Sequence, residues 1–229
     1  MLNKQKGQMY PWVNATWNVI KGECPHNCSY CYCKRWGEQA PLHFDEKELK
    51  TDLGSGNVIF VGSSCDMWAS TIDDSWIEAV IKKCLENMGN RYLFQSKNPL
   101  RFNQFSFKSP MSGIWLSMIL GTTIETNRWY YEIMGKSISP VLRANAMASL
   151  PYPYRMVSIE PIMDFDLDVL VGWLKDIKPE FVSIGADSKG HNLPEPSPEK
   201  VRALISELKQ FTEIRSKNNL NRILTPDTE

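Results

Sequence analysis

The chain has 229 residues, 42% of them hydrophobic and 23% charged, which suits one soluble domain with a substantial core. Its 26 basic and 26 acidic side chains give zero formal net charge, which argues against broad charge-driven binding to nucleic acid or anionic membrane. No stretch is apolar enough to cross a bilayer, and Met1–Met9 lacks the apolar run of a secretory signal. We therefore expect a cytoplasmic protein, in which six cysteines indicate metal or redox chemistry.

Short apolar runs rich in β-branched and aromatic residues alternate with amphipathic segments along the chain. Parallel strands that are covered on both faces read as nearly continuous apolar runs, so six such runs are predicted to be buried strands. The predicted strands are Trp12–Ile20, Val58–Gly62, Tyr92–Gln95, Ile114–Leu120, Arg155–Ile159 and Phe181–Ile184.

Four amphipathic helices are predicted between or after these strands. Each begins at a side chain that can accept a free backbone N–H group, and each then carries an apolar stripe at helical spacing. The predicted caps are Asp73 or Asp74, Ser139, Asp166 and Ser197. Two weaker helices are predicted near residues 44–53 and 99–105.

Strict alternation of strands and helices indicates a parallel sheet with right-handed crossovers. The predicted fold class is α/β, an open partial (β/α)6 TIM-type barrel with outer helices, because six units are too few for an eightfold barrel. One domain is expected over residues 1–215, followed by a polar, loosely ordered tail over residues 216–229. Active sites of such folds lie at the carboxyl ends of the strands, so candidates are sought there.

Three cysteines, Cys24, Cys28 and Cys31, follow the first predicted strand with three and then two intervening residues. Thiolates are soft ligands that favour iron–sulfur clusters or zinc. A [4Fe–4S] cluster normally takes four cysteines, so three on one tight loop leave one iron with the open position that a reactive site needs. A structural zinc or cluster site is the alternative interpretation.

This Cys-x3-Cys-x2-Cys spacing, with the aromatic Tyr30 before the third cysteine, resembles the signature of the radical SAM superfamily. The resemblance implies a [4Fe–4S] cluster on the three cysteines and S-adenosylmethionine (SAM) chelated to the open iron. The reduced cluster would cleave the C5′–S bond of SAM, and the 5′-deoxyadenosyl radical would take a hydrogen atom from the substrate. It also implies that Tyr30 lies against the adenine and that a reductant such as flavodoxin or ferredoxin is a partner.

Four further segments resemble a small phage-associated branch of this superfamily that is distantly similar to spore photoproduct lyase. The segments are 60–63, 95–99, 121–127 and 157–161. This resemblance favours a nucleic acid or nucleotide as substrate, and so do aromatic residues near the predicted mouth, whereas the zero net charge opposes it. The aromatic residues are Trp68, Trp115, Trp129, Tyr130 and Tyr131.

Polar residues after the second and third strands are candidate cofactor contacts. Most radical SAM enzymes have a glycine- and glutamate-rich segment after the second strand, and this sequence departs from that pattern. Ser63, Ser64 and Asp66 stand there and are expected to supply acceptors for the amino group of SAM; a polar turn is the alternative. Lys97 is a candidate for the SAM carboxylate or an anionic substrate group, with a solvated lysine as the alternative.

Later strand ends add four more candidate cofactor contacts. Thr123 and Glu125 belong to the fourth strand end, Glu160 to the fifth and Asp187 to the sixth. A carboxylate at a buried strand end needs a partner, and the ribose hydroxyls or ammonium of SAM would provide one for Glu125. For Glu160, a structural ion pair with Lys97 or Arg128 is the alternative.

The remaining cysteines differ in their expected roles. Cys65 follows the second strand in the predicted mouth, where its thiol could return a hydrogen atom to a substrate radical, as a cysteine does in spore photoproduct lyase; an inert buried thiol is the alternative. Cys84 lies on the apolar stripe of its helix and is expected in the core. Cys33 is interpreted as structural or as a further iron ligand, and His191 is assigned no role.

Two non-enzymatic functions stay open beside the radical SAM enzyme of unidentified substrate. One is an iron–sulfur module for electron transfer or partner binding. The other is a zinc-stabilised structural protein, which the β/α alternation disfavours because zinc-stabilised domains are usually small and rich in loops.

Overall fold

One curved, mostly parallel sheet forms the centre of the computed structural model, which describes residues 2–4, 9–106 and 117–225. Its eight strands lie in the order β1-β2-β5-β6-β7-β8-β9-β10. They are β1 Asn3–Lys4, β2 Ala15–Trp17, β5 Val58–Val61, β6 Arg91–Ser96, β7 Met118–Thr123, β8 Arg155–Ile159, β9 Phe181–Ile184 and β10 Glu213–Ser216. Every neighbouring pair from β2 to β10 is parallel, and only β1 pairs antiparallel.

The sheet is not closed, because β1 and β10 are its two edges. Two short strands, β3 Ile20–Lys21 and β4 His43–Phe44, form a separate antiparallel pair beside it. The predicted fold class, an open partial barrel with outer helices, is therefore confirmed.

Seven α-helices occur in the described residues. They are α1 Asp74–Leu85, α2 Leu100–Ser106, α3 Tyr131–Met134, α4 Pro140–Ser149, α5 Leu167–Ile177, α6 Pro198–Leu208 and α7 Asn221–Leu224. Short 3-10 helices span Tyr32–Trp36, Glu46–Lys50 and Asn218–Leu220. Asp73 and Ser197 cap α1 and α6 through their side chains, as predicted. Asp166 precedes α5 as predicted, but its carboxylate binds Asn127 and Arg128 instead of the helix.

The predicted strands match the observed ones closely except for the first and the fourth. β8 and β9 have the predicted bounds. The predicted strand Trp12–Ile20 is only three residues long as β2. The fourth runs over Met118–Thr123, further along the chain than predicted, and residues 114–116 lie outside the described residues.

The segment before β2 fills the interior of the barrel, which explains why the first strand is short. Tyr10 and Val13 are buried there against one inward residue from each of five strands. Those residues are Phe60, Leu93, Ile119, Met156 and Phe181. The ring of Trp12 meets that of Phe181 edge-on, with the two centroids 5.1 Å apart. The amino end of the barrel is therefore closed by the protein's own chain.

A polar layer lies directly above this apolar filling. The hydroxyl of Tyr10 is 2.9 Å from both Gln95 Oε1 and Ser158 Oγ, and Gln95 Nε2 donates to Thr123 Oγ1 over 2.9 Å. Burial raises the pKa of Tyr10 above its usual range, so the hydroxyl keeps its proton. These side chains form the floor of the space at the carboxyl ends of the strands.

The outer face of the sheet is covered by the apolar stripes of the helices. On α1, Ile77, Val80, Ile81 and Cys84 are buried, and the thiol of Cys84 is fully enclosed. The prediction that Cys84 belongs to the core is confirmed. No helix among the described residues combines the length and apolarity that crossing a membrane requires.

Residues 216–225 are packed, which differs from the expected loose tail. Ser216 ends β10, which pairs in parallel with β9, and Leu220 is fully buried against the main core. The sequence obscured this because β10 is a polar edge strand with the pattern Glu-Ile-Arg-Ser, which lacks the apolar run of a buried strand. Residues 226–229 lie outside the described residues.

Replacing Leu220 with alanine should destabilise the fold by about 2–5 kcal/mol, because it leaves a cavity in the core. Urea unfolding of the purified protein measures this loss. Leu142→Ala is the control, since Leu142 is 47% exposed and its truncation should change the free energy of unfolding by less than about 1 kcal/mol. Equal losses in the two variants would contradict the packing of this segment.

Candidate active site

A cavity of about 1150 Å³ opens at the carboxyl ends of the strands. Its lining includes all three motif cysteines and most of the other predicted site residues. The predicted residues that line it are Cys24, Cys28, Tyr30, Cys31, Ser63, Ser64, Cys65, Asp66, Lys97, Thr123, Glu160 and Asp187. Glu125 lies behind the wall, fully buried. The topology of the sheet thus brings residues from six strand ends to one space.

The cysteine loop is braced from behind by α3 and the turn that follows it. Ser29 N donates to the carbonyl of Ile133 over 2.9 Å, and Lys136 N donates to the carbonyl of His26 over 2.7 Å. The thiol of Cys28 donates to the carbonyl of Met134 over 3.2 Å. These bonds fix the backbone of the loop between its first and third cysteines.

Gly135 makes this close approach of the two segments possible. It has a φ of +62°, and a Cβ there would overlap the carbonyl oxygen of His26. Glycine is the residue that meets both conditions, since it favours positive φ and has no side chain. The position of the cysteine loop therefore depends on a glycine some hundred residues away along the chain.

A buried ion pair holds the other side of the loop. His26 Nε2 lies 2.7 Å from Asp66 Oδ2, and both residues are enclosed. Asp66 also accepts hydrogen bonds from Ser96 Oγ at 2.9 Å, Lys97 N at 2.8 Å and Trp68 N at 2.9 Å. Burial opposes the charge on Asp66, but His26 and the N–H donors outweigh it and lower its pKa.

Asp66 thus anchors the loop to the ends of β5 and β6. Both of its carboxylate oxygens are engaged by protein donors. Contact between Asp66 and the amino group of SAM stays a prediction. His26 is the loop residue that forms this anchor, and the sequence analysis gave it no role. Its position between two motif cysteines could have indicated a role in holding the loop.

Five thiols surround the rim of the cavity, and four of them form two pairs. A hydrogen bond from Cys65 lowers the pKa of Cys24 to about 7, and one from Cys33 lowers the pKa of Cys31 to about 6. Burial raises the pKa of Cys28. A lowered pKa favours the thiolate, which is the form that ligates metals.

The three motif thiols are soft donors of the kind that iron–sulfur clusters and zinc prefer. Within the described ranges, no three Cys, His, Asp or Glu side chains converge as the ligands of one metal ion do. The cysteines of a [4Fe–4S] cluster bind different irons, so they need to surround the cluster without meeting at a point. Three thiols on one braced loop beside a cavity satisfy that requirement.

Glu125 is the centre of a charged network behind the cavity. Its carboxylate lies 2.8 Å from Arg143 Nη1 and 2.6 Å from Lys97 Nζ, and it also contacts the hydroxyl of Tyr30. Burial alone would raise the pKa of Glu125, but the two cations hold it well below its usual range. Arg143, a fully buried residue that the sequence analysis missed, also donates to the carbonyl of Thr123 over 2.9 Å.

Glu125 has protein partners in the structure, and its contact with SAM stays a prediction. Lys97 forms an ion pair with Glu125, so it is not the solvated lysine considered as the alternative. Its side chain is 18% exposed and lines the cavity. Tyr30 lines the same space, with Lys97 Nζ 5.0 Å from the centre of its ring. The roles of Lys97 and Tyr30 toward SAM stay predictions.

Glu160 has the structural ion pair that was considered for it, but with a different partner. Its Oε1 lies 2.7 Å from Lys217 Nζ, where Lys97 or Arg128 had been expected. Arg128 instead contacts Asp164 and Asp166. Lys217 was not predicted as the partner because strand β10, which positions it, was not predicted either. Asp187 pairs with His191, 2.6 Å apart.

The two serines and the threonine are held by polar neighbours at the cavity wall. Ser63 Oγ and Ser64 N both donate to Asn18 Oδ1, at 3.2 Å and 3.1 Å. The hydroxyl of Tyr32 donates to the carbonyl of Ser63 over 2.7 Å. The segment after β5 is therefore a fixed turn, and the contact of Ser63, Ser64 and Thr123 with SAM stays a prediction.

None of the predicted mouth aromatics that the structure describes lines the cavity. Trp68 is buried in a cluster with Phe94, Phe102 and Phe105, away from the cavity. Trp129 and Tyr131 are exposed, neither they nor Tyr130 line the cavity, and Trp115 lies outside the described residues. Tyr30, Tyr10, Tyr32 and Phe60 are the aromatic residues that do line it.

Comparison with solved structures identifies this architecture. A double mutant of spore photoproduct lyase with bound AdoMet and dinucleoside spore photoproduct superposes with a TM-score of 0.65. The chain has the fold of spore photoproduct lyase. The identity is 12%, and the match covers 93% of this chain and 78% of the lyase. A second lyase structure, complexed with dinucleoside spore photoproduct, gives a TM-score of 0.63 at 11% identity over the same shares.

The likeness to spore photoproduct lyase that the sequence analysis inferred is therefore confirmed at the level of the fold. No protein-family model and no curated protein sequence matches the chain significantly. At such low identity the comparison establishes the architecture, and the chemistry has to be argued from the residues of the cavity.

Replacing Gly135 with alanine should reduce cluster incorporation several-fold, because the new Cβ pushes the cysteine loop away from its brace. Iron and sulfide per protein after anaerobic reconstitution measure this. Gly172→Ala is the matched control: nothing lies within 4 Å of its Cβ position, within α5. Normal iron content in Gly135→Ala would show that the brace is dispensable.

Replacing Glu125 with glutamine should cost about 3–5 kcal/mol of stability near neutral pH, because Arg143 keeps a buried charge without its partner. The folded-state pKa of Glu125 lies below its ordinary value of 4.5, so its contribution is complete above that pH and is lost as the pH falls through the folded-state pKa. Unfolding free energies should therefore converge between wild type and variant on acidification. A constant difference across pH would contradict this account.

Proposed function

We propose that the protein is a radical SAM enzyme that acts on a substrate containing a nucleobase. The observation that carries the proposal is the loop of Cys24, Cys28 and Cys31, braced on both sides and facing a cavity at the carboxyl ends of the strands. A [4Fe–4S] cluster has four irons, so a motif with three cysteines leaves one iron open to a ligand other than cysteine. The shared fold with an AdoMet-bound enzyme supports this proposal.

The residues of the chain would hold the cofactors and keep their surroundings ordered. Cys24, Cys28 and Cys31 would ligate a [4Fe–4S] cluster, which with SAM supplies one-electron cleavage of SAM and hydrogen-atom abstraction. Lys97 offers an ammonium toward the cavity for the SAM carboxylate, although Glu125 shares its charge. Tyr30, Ser63, Ser64 and Thr123 are the proposed further SAM contacts.

Cys65 is proposed to return a hydrogen atom from its thiol to the substrate radical, which breaks its S–H bond, forms a C–H bond on the substrate and leaves a thiyl radical for the electron source to reduce. Its hydrogen bond to Cys24 raises the pKa of its thiol, so it keeps the S–H hydrogen that such a step requires. It lines the same cavity as the motif cysteines. A reductant such as flavodoxin or ferredoxin is the proposed electron source.

A nucleobase is the proposed substrate group for two reasons. The neighbouring solved enzyme is described with a dinucleoside in place. The cavity of this chain is wide, and the half-buried ring of Tyr32 lines it. Aromatic rings stack on bases of any sequence.

The first test is electron paramagnetic resonance of the reconstituted, dithionite-reduced protein with and without SAM. A cluster signal that shifts on addition of SAM, together with formation of 5′-deoxyadenosine, is the expected result. Cys28→Ala should abolish both, whereas Cys84→Ala should retain both, because Cys84 lies in the core of α1 away from the cavity. A signal that ignores SAM would favour an electron-transfer or partner-binding module.

A further inference from the structure

The cavity has a second wall at the far end of the sheet from the cysteine loop. It is formed by residues that follow β8, β9 and β10, and we call it the distal wall. The distal wall consists of Glu160, Asp187, His191, Lys217 and Asn219. None of these residues is a motif cysteine or touches the Glu125 network, so their arrangement has to be explained separately.

Asp187 fixes the orientation of His191. The Asp187 carboxylate accepts hydrogen bonds from the backbone N–H groups of Lys189 at 3.0 Å and of His191 at 2.5 Å. It also lies 2.6 Å from His191 Nδ1. A carboxylate can only accept, so Nδ1 carries a proton, and Nε2 is an acceptor whenever the ring holds that one proton. In the described part of the chain, Nε2 has no protein partner.

Glu160 and Lys217 meet across β9, because the intervening residue is a glycine. A Cβ on Gly185 would lie 3.0 Å from the carboxyl carbon of Glu160 and 3.1 Å from Cδ of Lys217. Lys217 Nζ binds Oε1 of Glu160 at 2.7 Å. Oε2 has no partner among the residues described, so the pair presents a second acceptor to the cavity.

Asn219 lies beside these residues in the distal wall. Its Nδ2 donates to the carbonyl of Ala186 over 2.7 Å, which fixes the amide group. Its Oδ1 is buried and has no hydrogen-bond partner within the described ranges. An enclosed acceptor without a donor is unfavourable, and nearly all such atoms in proteins are satisfied.

The carboxylates of the distal wall already have protein partners. Glu160 is paired with Lys217, and Asp187 is engaged by His191 and backbone N–H groups. Lys217 is paired with Glu160, and Lys189 is an exposed lysine at the rim of the same lining. The unpartnered acceptors of the wall are His191 Nε2 and Glu160 Oε2. The ligand group complementary to these two atoms is one that donates N–H hydrogen bonds. A carboxylate accepting from the exocyclic amino group of cytosine is a known recognition pattern.

We propose that the distal wall is the substrate subsite and that it binds an uncharged nucleobase through its exocyclic amino group, with His191 Nε2 as one acceptor. The choice of a nucleobase rests on the proposed function, whereas the preference for an N–H donor over a carbonyl rests on the wall itself. Asp187 acts as a positioning residue for His191.

Cytidine and uridine form a matched pair of probes, because the amino group of one is a carbonyl oxygen in the other. Their dissociation constants are measured calorimetrically with the cluster-loaded protein, with and without SAM. Cytidine is expected to bind roughly tenfold more tightly than uridine, as the gain or loss of about one buried hydrogen bond implies. His191→Ala should remove this preference, and His191→Gln should restore part of it through its amide oxygen.

His43→Ala is the control of the same residue type, since His43 is exposed and lies outside the cavity lining. It should keep the preference for cytidine. Equal binding of the two nucleosides, or a preference that His191→Ala leaves intact, would overturn the proposal. If the cluster signal responds to SAM but the protein binds neither nucleoside, the proposed subsite is wrong and the proposed chemistry stands. If cytidine binding depends on His191 but the cluster signal does not respond to SAM, the proposed chemistry is wrong and the subsite stands.

Discussion

The buried negative charge of Glu125 is the constraint on which the geometry of the cavity depends. A fully enclosed carboxylate is tolerable only when cations and hydrogen bonds compensate it, and here Arg143 comes from α4 and Lys97 from the end of β6. Tyr30 brings the cysteine loop to the same carboxylate. One charge therefore ties a helix, a strand end and the candidate ligand loop into a fixed arrangement.

A second buried pair fixes the loop from the opposite side, and the two anchors act in different ways. His26 and Asp66 fasten the loop to the ends of β5 and β6, whereas the turn at Gly135 supports its backbone from behind. Preorganisation of this kind matters for a reactive metal site, because ligands that are already in place lose little freedom on binding. The cavity above the Tyr10 layer is left open to a substrate.

Much of this architecture could be predicted from the sequence, and the failures share a physical cause. Buried strands such as β8 and β9 are recognisable because both faces are covered and their residues are apolar. The edge strand β10 and the filling segment around Tyr10 follow no such pattern, since their packing depends on tertiary contacts. The motif cysteines were found from spacing alone, whereas the partners Arg143 and Lys217 lie far along the chain and carry no local signal.

The single-sided pairing of β10 has a kinetic consequence for the cavity. Its backbone bonds only to β9, so local opening of this edge exposes less buried surface than global unfolding and occurs more often. Lys217 follows directly at the end of that strand, and its ion pair with Glu160 exists only while the edge is closed. Hydrogen exchange of the backbone amides of residues 213–216 would then measure how often this edge of the cavity opens. The rate would be that of local opening of one strand, which is faster than unfolding of the whole domain.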